Sequence, residues 1–224
     1  MNTMKTKNVY FGRHGESRAN ASGIREGSDS PLTERGLLQA EFSAIRMKKK
    51  GVERIVSSNY ARAISTAQVH SLHLGLPITD SSPLFAERRN PSVMLGKHAN
   101  DPETERMWTE IATHYGEPGW RHSDEENFED LLVRAKDALT FLESLPEEHI
   151  YVASHGMFMK VILAYVQLGE HLTGRIFWDR YVPMKNVQNT GLMHLQYTAN
   201  YWGTGMYWKL VSWNDHAHLE EMRG

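Results

Sequence analysis

Four side chains at three places in this 224-residue chain have the types and positions to act on an anion. Arg13 and His14 follow the β-rich run NVYF at 8–11. Arg62 follows the apolar run at 54–56 and the pair Ser57-Ser58. His155 follows IYVA at 150–153 and Ser154. Each lies just past a segment that reads as a buried strand. An arginine stays protonated in a protein, so two at one site call for an anion. Their planar forks match phosphate oxygens two at a time. A histidine works near neutral pH as nucleophile or as acid and base. Unpaired charge is costly beside buried strands, which sets these four apart from solvated surface groups.

The elements that must position them alternate between strand-like and helix-like. Residues 34–49 place Leu37, Leu38, Ala40, Phe42, Ile45 and Met47 among polar residues, predicting an amphipathic helix. Thr33 is its expected N-cap and Gly51 its stop. Residues 60–74 are helical in pattern and closed by Gly75 and Pro77; 128–145 are stopped by Pro146; 157–168 form an apolar helix ending at Gly169. Residues 187–197 and 206–213 read as two strands. Strands separated by helices of this length predict right-handed crossovers. The expected fold is a three-layer α/β/α domain with a mainly parallel central sheet and an inserted helical segment. Ligands of such sheets bind beyond the carboxyl ends of the strands, which is where the arginines and histidines stand.

Composition excludes several alternatives. With no cysteine, thiol catalysis, disulfide scaffolds and Cys-ligated metal sites are unavailable. Twenty-five basic against twenty-seven acidic side chains leave no global field for nucleic acid or an anionic membrane. The polar residues 1–7 lack a signal peptide's apolar stretch, and no apolar run approaches the ~20 residues needed to span a bilayer. A cytoplasmic location is expected. One domain over 1–224, with 88–127 as an insertion, fits the length.

The motifs carry a resemblance. Arg13-His14-Gly15-Glu16-Ser17 followed by Asn20 resembles the R-H-G-E-[TS]-x-x-N signature of the histidine phosphatase superfamily, whose fold is phosphoglycerate mutase-like. Pro31-Leu32-Thr33 with Gly36 and Gln39-Ala40 is similar to that family's P-L-T-x-x-G-x-x-Q-A block. Ser57-Ser58, Arg62-Ala63 and Thr66-Ala67 are similar to its S-S-x-x-x-R-A-x-x-T-A block. Ser154-His155-Gly156 resembles its second histidine motif. Asn189-Thr190 and the segment Asn214-Asp215 to His218-Leu219 resemble its last strands. The ordered set spans nearly the whole chain.

The resemblance implies that His14 is a nucleophile forming a phosphohistidine. Arg13, Arg62 and a protonated His155 then bind the phosphoryl oxygens. Asn20 holds the non-transferred part of the phosphate. Gly156 lets the N-terminus of the following helix approach the anion. Glu87 matches the family's proton donor to the leaving alcohol, its basicity raised by the anionic substrate. The resemblance implies neither metal nor cofactor, because arginines supply the positive charge. The implied partner is a small phosphomonoester or a phosphoprotein, with the oligomeric state open.

Mutases of this family continue the acid motif as E-R-H-Y-G. Here Glu87 is followed by Arg88-Arg89-Asn90-Pro91-Ser92, which favours a phosphatase over a mutase. The third alternative is a non-catalytic phospho-ligand module. The insertion 88–127, with Trp108, Trp120 and several basic residues, is expected to act as a lid that sets substrate choice. The pairs His70/His73 and His216/His218 lack an evident third metal ligand and read as surface or structural groups.

Overall fold

The computed structural model describes residues 6–25, 27–220 and 222. Residues 1–5 of the polar amino-terminal stretch lie outside the described residues. Six strands form one sheet: β1 (Lys7–Arg13), β2 (Arg54–Ser58), β3 (Ile78–Ser82), β4 (His149–Ser154), β5 (Leu192–Ala199) and β6 (Met206–Asp215). The helices are α1 (Arg18–Ser22), α2 (Glu34–Lys48), α3 (Ala61–Leu74), α4 (Pro102–His114), α5 (Phe128–Ser144), α6 (Gly156–Leu168) and α7 (Gly174–Arg180), besides short 3-10 turns. The strand order is β3-β2-β4-β1-β5-β6. The pairs β1/β4, β2/β4 and β2/β3 are parallel, and β5 and β6 join antiparallel.

The three layers follow from strand alternation. Val9 and Phe11 of β1, Val56 of β2, and Ile150 and Val152 of β4 pack with Leu131, Leu139, Phe158 and Ile162 of α5 and α6. Their neighbours Tyr10, Ile55, Tyr151 and Ala153 face the other way, onto Met47 of α2 and Ala63 and Ala67 of α3. Both faces of the central strands are therefore buried, and their sequences are near-continuously apolar for that reason. The Lys7 amine donates to the carbonyls of Leu142, Glu143 and Leu145, tying the start of β1 to the C-terminal end of α5.

Most predicted boundaries hold. Thr33 caps α2, accepting from the Gly36 amide at 3.0 Å, and Gly75 closes α3 with φ of 68°. Four elements differ from expectation. Strand β3 was not predicted; its half-exposed ITDSS pairs only with β2 and lacks the apolar run of a central strand. β5 starts at Leu192, not 187, because 187–191 form a loop latched to β1. Helices α1 and α7 are too short for their periodicity to register. Segment 88–127 contains α4 and joins the α5/α6 face through Met107, Ile111 and Tyr115. No helix among the described residues is long and apolar enough to cross a membrane.

Candidate active site

Strands β1 and β4 lie side by side with Arg13 opposite Ser154, so the residues that follow them meet. The His14 amide donates to the Ser154 carbonyl at 3.0 Å. The His14 and His155 rings stand 5.1 Å apart. Strand β2, on the other side of β4, delivers Arg62 from the first turn of α3. Residues 141 positions apart in sequence, His14 and His155, are thus neighbours because parallel strands put their loops at one sheet end.

The His14 ring has a defined orientation. Its Nδ1 lies 2.7 Å from the Gly15 carbonyl and must donate to it. Nε2 then carries the lone pair, and it accepts from Arg62 Nε at 3.1 Å. The ring is buried, and burial is the largest cause holding its pKa well below 6.5, with Arg13 and Arg62 adding to it. Imidazole here is neutral and presents a nucleophilic nitrogen next to a guanidinium.

Arg13 donates to the Val187 carbonyl at 2.6 Å and to Asn20 Oδ1 at 3.3 Å. Asn20 also accepts from Asn189 at 3.3 Å, so in this structure it orients Arg13. The second Arg62 branch donates to the Gly27 carbonyl at 2.7 Å. His155 is buried, its Nε2 2.8 Å from Ser58 Oγ, and its buried Nδ1 has no hydrogen-bond partner. Burial above all, with the Arg62 and Arg13 charges adding to it, lowers its pKa well below 6.5. The expected protonated His155 is therefore corrected to a neutral ring in this state.

Two glycines bring the loop after β1 against α2. A Cβ on Gly15 would sit 2.3 Å from the Gly36 carbonyl oxygen, and one on Gly36 would sit 2.1 Å from that of Glu16. No side chain fits between two backbones at that separation. The loop amides are then held by side chains: Gly15 donates to Thr66 Oγ1 at 3.0 Å and Glu16 to Gln39 Oε1 at 2.8 Å. From the other side, Asn189 donates to the His14 carbonyl at 3.1 Å and the Thr190 amide to that of Arg13 at 2.9 Å. Thr190 takes a left-handed φ of 60°, held by His218 at 2.9 Å from its hydroxyl. Gln39, Thr66 and Thr190 lie in the motifs, but their spacing alone does not reveal these contacts.

Glu87 sits in the cavity with His14 and Arg62, about 480 Å³ in volume. Its Oε1 accepts from the Arg88 and Phe158 amides at 2.9 and 3.1 Å, and Oε2 from the Met157 amide at 3.2 Å. The Met157 and Phe158 amides of the α6 N-terminus thus hold Glu87. Gly156 lines the neighbouring cavity, and a Cβ there would meet Arg13 at an ordinary 3.7 Å, so close approach does not require glycine. Arg25, Arg88 and Trp108 also line this region; Arg88 and Trp108 belong to the insertion expected as a lid, whereas nothing about the spacing of Arg25 sets it apart.

The remaining histidine pairs are divided by the fold. His70 is buried between Thr66 O at 2.9 Å and Ser43 Oγ at 3.2 Å, stacked on Tyr151 at 3.9 Å. No group of three or more His, Asp or Glu among the described residues is gathered to hold a metal.

A buried histidine flanked by arginines at the mouth of a β3-β2-β4-β1-β5-β6 sheet defines a class of phosphoryl-handling proteins. The family model of the histidine phosphatase superfamily (branch 1) matches residues 9–216, and this chain belongs to that superfamily. It is similar to the probable phosphoglycerate mutase GpmB of Yersinia pestis (strain Pestoides F), 30% identical over 217 residues, covering 95% of this chain and 94% of the relative. Among solved structures it resembles Bacillus stearothermophilus YhfR, with TM-score 0.76, 21% identity, and coverage of 95% and 99%. It also resembles a phosphoserine phosphatase mutant from Entamoeba histolytica bound to phosphoserine, with TM-score 0.73, 21% identity, and coverage of 95% and 99%.

Proposed function

We propose that the protein is a metal-independent phosphomonoester phosphatase that works through phosphorylated His14. The carrying observation is the His14 ring itself. Its Nδ1–H is fixed on the Gly15 carbonyl, which leaves the lone pair on Nε2, where it accepts from Arg62 Nε. An arriving phosphoryl group takes over the Arg62 fork from Nε2. Arg13 and Arg62 then stabilise charge on its equatorial oxygens as the transition state forms. His155, through one ring N–H, is the third phosphate contact.

Nε2 attacks phosphorus, the N–P bond forms, and the P–O ester bond breaks. The leaving alkoxide takes a proton from Glu87. Of its two oxygens, Oε2 accepts one amide and Oε1 two, so Oε2 has the lone pair left to carry that proton. Water then attacks the phosphohistidine and gives its proton back to Glu87. Inorganic phosphate leaves, and Nε2 regains its lone pair. Segment 88–127 is the lid over this cycle, and the substrate is a small phosphomonoester.

Acid-quenched labelling with a phosphorylated substrate should trap an acid-labile adduct that His14→Ala cannot form. Full turnover by that variant overturns the reading. A mutase reading draws on the printed name of the Yersinia pestis relative. Isomer exchange of a phosphorylated hydroxy acid without release of inorganic phosphate would favour it.

A further inference from the structure

The segment that carries Glu87 belongs to no strand, yet its backbone is held residue by residue. Residues 83–85 form a 3-10 turn and 86–91 are irregular. Four successive carbonyls, from Leu84 to Glu87, accept from two side chains. Ser154, at the end of β4, donates its hydroxyl to the Phe85 carbonyl at 2.8 Å. Arg134 of α5 takes the others. Its Nη1 donates to Leu84 at 3.3 Å and Ala86 at 2.7 Å, and its Nη2 to Glu87 at 3.4 Å. Nε and Nη2 also donate to Glu126, each at 2.8 Å. The five N–H groups of the guanidinium thus have five different acceptors.

The same guanidinium lies over Phe158, with Cζ 4.3 Å from the ring centroid. Phe158 is buried, and its amide is one of the α6 donors to the Glu87 carboxylate. Arg134 therefore fixes Glu87 at both ends: its carbonyl directly, and its carboxylate through the residue whose amide holds it. Glu126 in turn fixes the fork. Its Oε2 also accepts from the Arg89 amide at 2.9 Å, and its own amide donates to the Arg89 carbonyl at 3.0 Å. The Arg134 and Glu126 side chains are only 13% and 14% exposed. A buried ion pair adds little net stability over apolar packing. Stability alone is thus a weak reason for a pair that aims three donors at the backbone of 84–87. A proton donor, by contrast, works only within hydrogen-bond reach of the leaving oxygen, and a displacement of ~1 Å costs about 10²-fold.

We infer that Arg134, backed by Glu126, is a positioning residue for the reaction: it sets the place of the Glu87 carboxylate in the cavity. This rests on the reading that Glu87 protonates the leaving group. Arg134 does not line the cavities that Glu87 lines, so its effect on chemistry passes through other residues. Its charge also bears on His155, and the test separates that charge from placement.

Benzyl phosphate and p-nitrophenyl phosphate test it, because only the first has a leaving group that needs a proton. The quantity read is the ratio of their kcat/KM values, which is independent of how much of a variant folds. In Arg134→Gln that ratio should fall about tenfold or more, part of the roughly 10²-fold that a general acid supplies. Arg134→Lys keeps the charge but cannot reach Glu126 and three carbonyls together, so its ratio should fall as well. The double variant Glu87→Gln/Arg134→Gln should show the ratio of Glu87→Gln alone, since both changes remove one function. A ratio unchanged in Arg134→Gln, restored in Arg134→Lys, or lowered further in the double variant overturns the inference. A ratio unchanged in Glu87→Gln sinks the acid reading of Glu87, and the inference with it. Amide hydrogen exchange reads the placement without chemistry. The Met157 and Phe158 amides should exchange about tenfold faster in Arg134→Gln, with the Val161 amide unchanged. That result without turnover of either ester sinks the phosphatase reading and leaves the placement of Glu87 by Arg134 standing. Unchanged exchange at Met157 and Phe158 overturns it.

Discussion

Two buried regions of this protein hold neutral histidines, and they behave oppositely. At the carboxyl ends of β1 and β4, His14 keeps one ring nitrogen for a cavity and an arginine. Behind the sheet, His70 has both nitrogens bonded to its own packing neighbours, Thr66 and Ser43, and its face against Tyr151. Burial lowers both pKa values, that of His70 to about 3. A depressed pKa thus marks burial, not function. What separates the two is a lone pair left facing a polar cavity, with cations positioned to receive an anion.

That contrast can be broken most decisively at His14. His14→Ala should lose on the order of 10⁴-fold or more in kcat, since no other group supplies the nucleophile. Steady-state phosphate release measures it, and retained activity would make His14 equivalent to His70. Next, Arg62→Met should cost roughly 10²–10³-fold in kcat/KM, the scale of losing one oriented donor to transition-state charge. Glu87→Gln should cost roughly 10²-fold or more on alkyl phosphates. On p-nitrophenyl phosphate the loss should be much smaller, because that leaving group needs no proton. An equal loss on both esters would reassign Glu87 to holding the α6 amides.

At His70 the expected effect is on stability alone. His70→Ala should destabilise the fold by about 2–4 kcal/mol in urea titrations through lost packing and unpaired Ser43 and Thr66 groups. The kcat of the folded fraction should be unchanged. The pH dependences sharpen the same comparison. A folded pKa of about 3 against 6.5 unfolded means the unfolded chain binds more protons between those values. The His70 contribution is therefore complete above pH 6.5 and is lost as pH falls toward 3, at up to ~1.4 kcal/mol per pH unit. His70→Ala should flatten that acid slope. For His14 the lowered pKa keeps Nε2 unprotonated below pH 6.5, so kcat/KM, corrected for the ester dianion, should hold there. A fall centred at 6.5 would contradict its neutral burial.

Much of this was legible in the chain alone. The apolar runs at 8–11, 54–56 and 150–153 are central strands because both their faces are buried, and a doubly buried strand shows itself as continuous apolar sequence. The residues immediately after them, Arg13, His14, Arg62 and His155, were identified by position, and the fold brings all four together with Glu87. The edge strand β3 was illegible because half of its residues face solvent, and α1 and α7 because one or two turns leave no period to read.

What the sequence by itself determined is the set of reactive groups and the layered α/β frame, since side-chain type and apolar periodicity are local properties. Only the tertiary structure decided how those groups are used. The ring nitrogen that faces the cavity depends on the Gly15 carbonyl, and the His155 charge on burial beside three cations. The α6 amides serve Glu87, and Arg25 meets Arg88 across Trp108. All but the first join residues far apart in the chain through burial or hydrogen bonding, and none exists until the layers have closed around them.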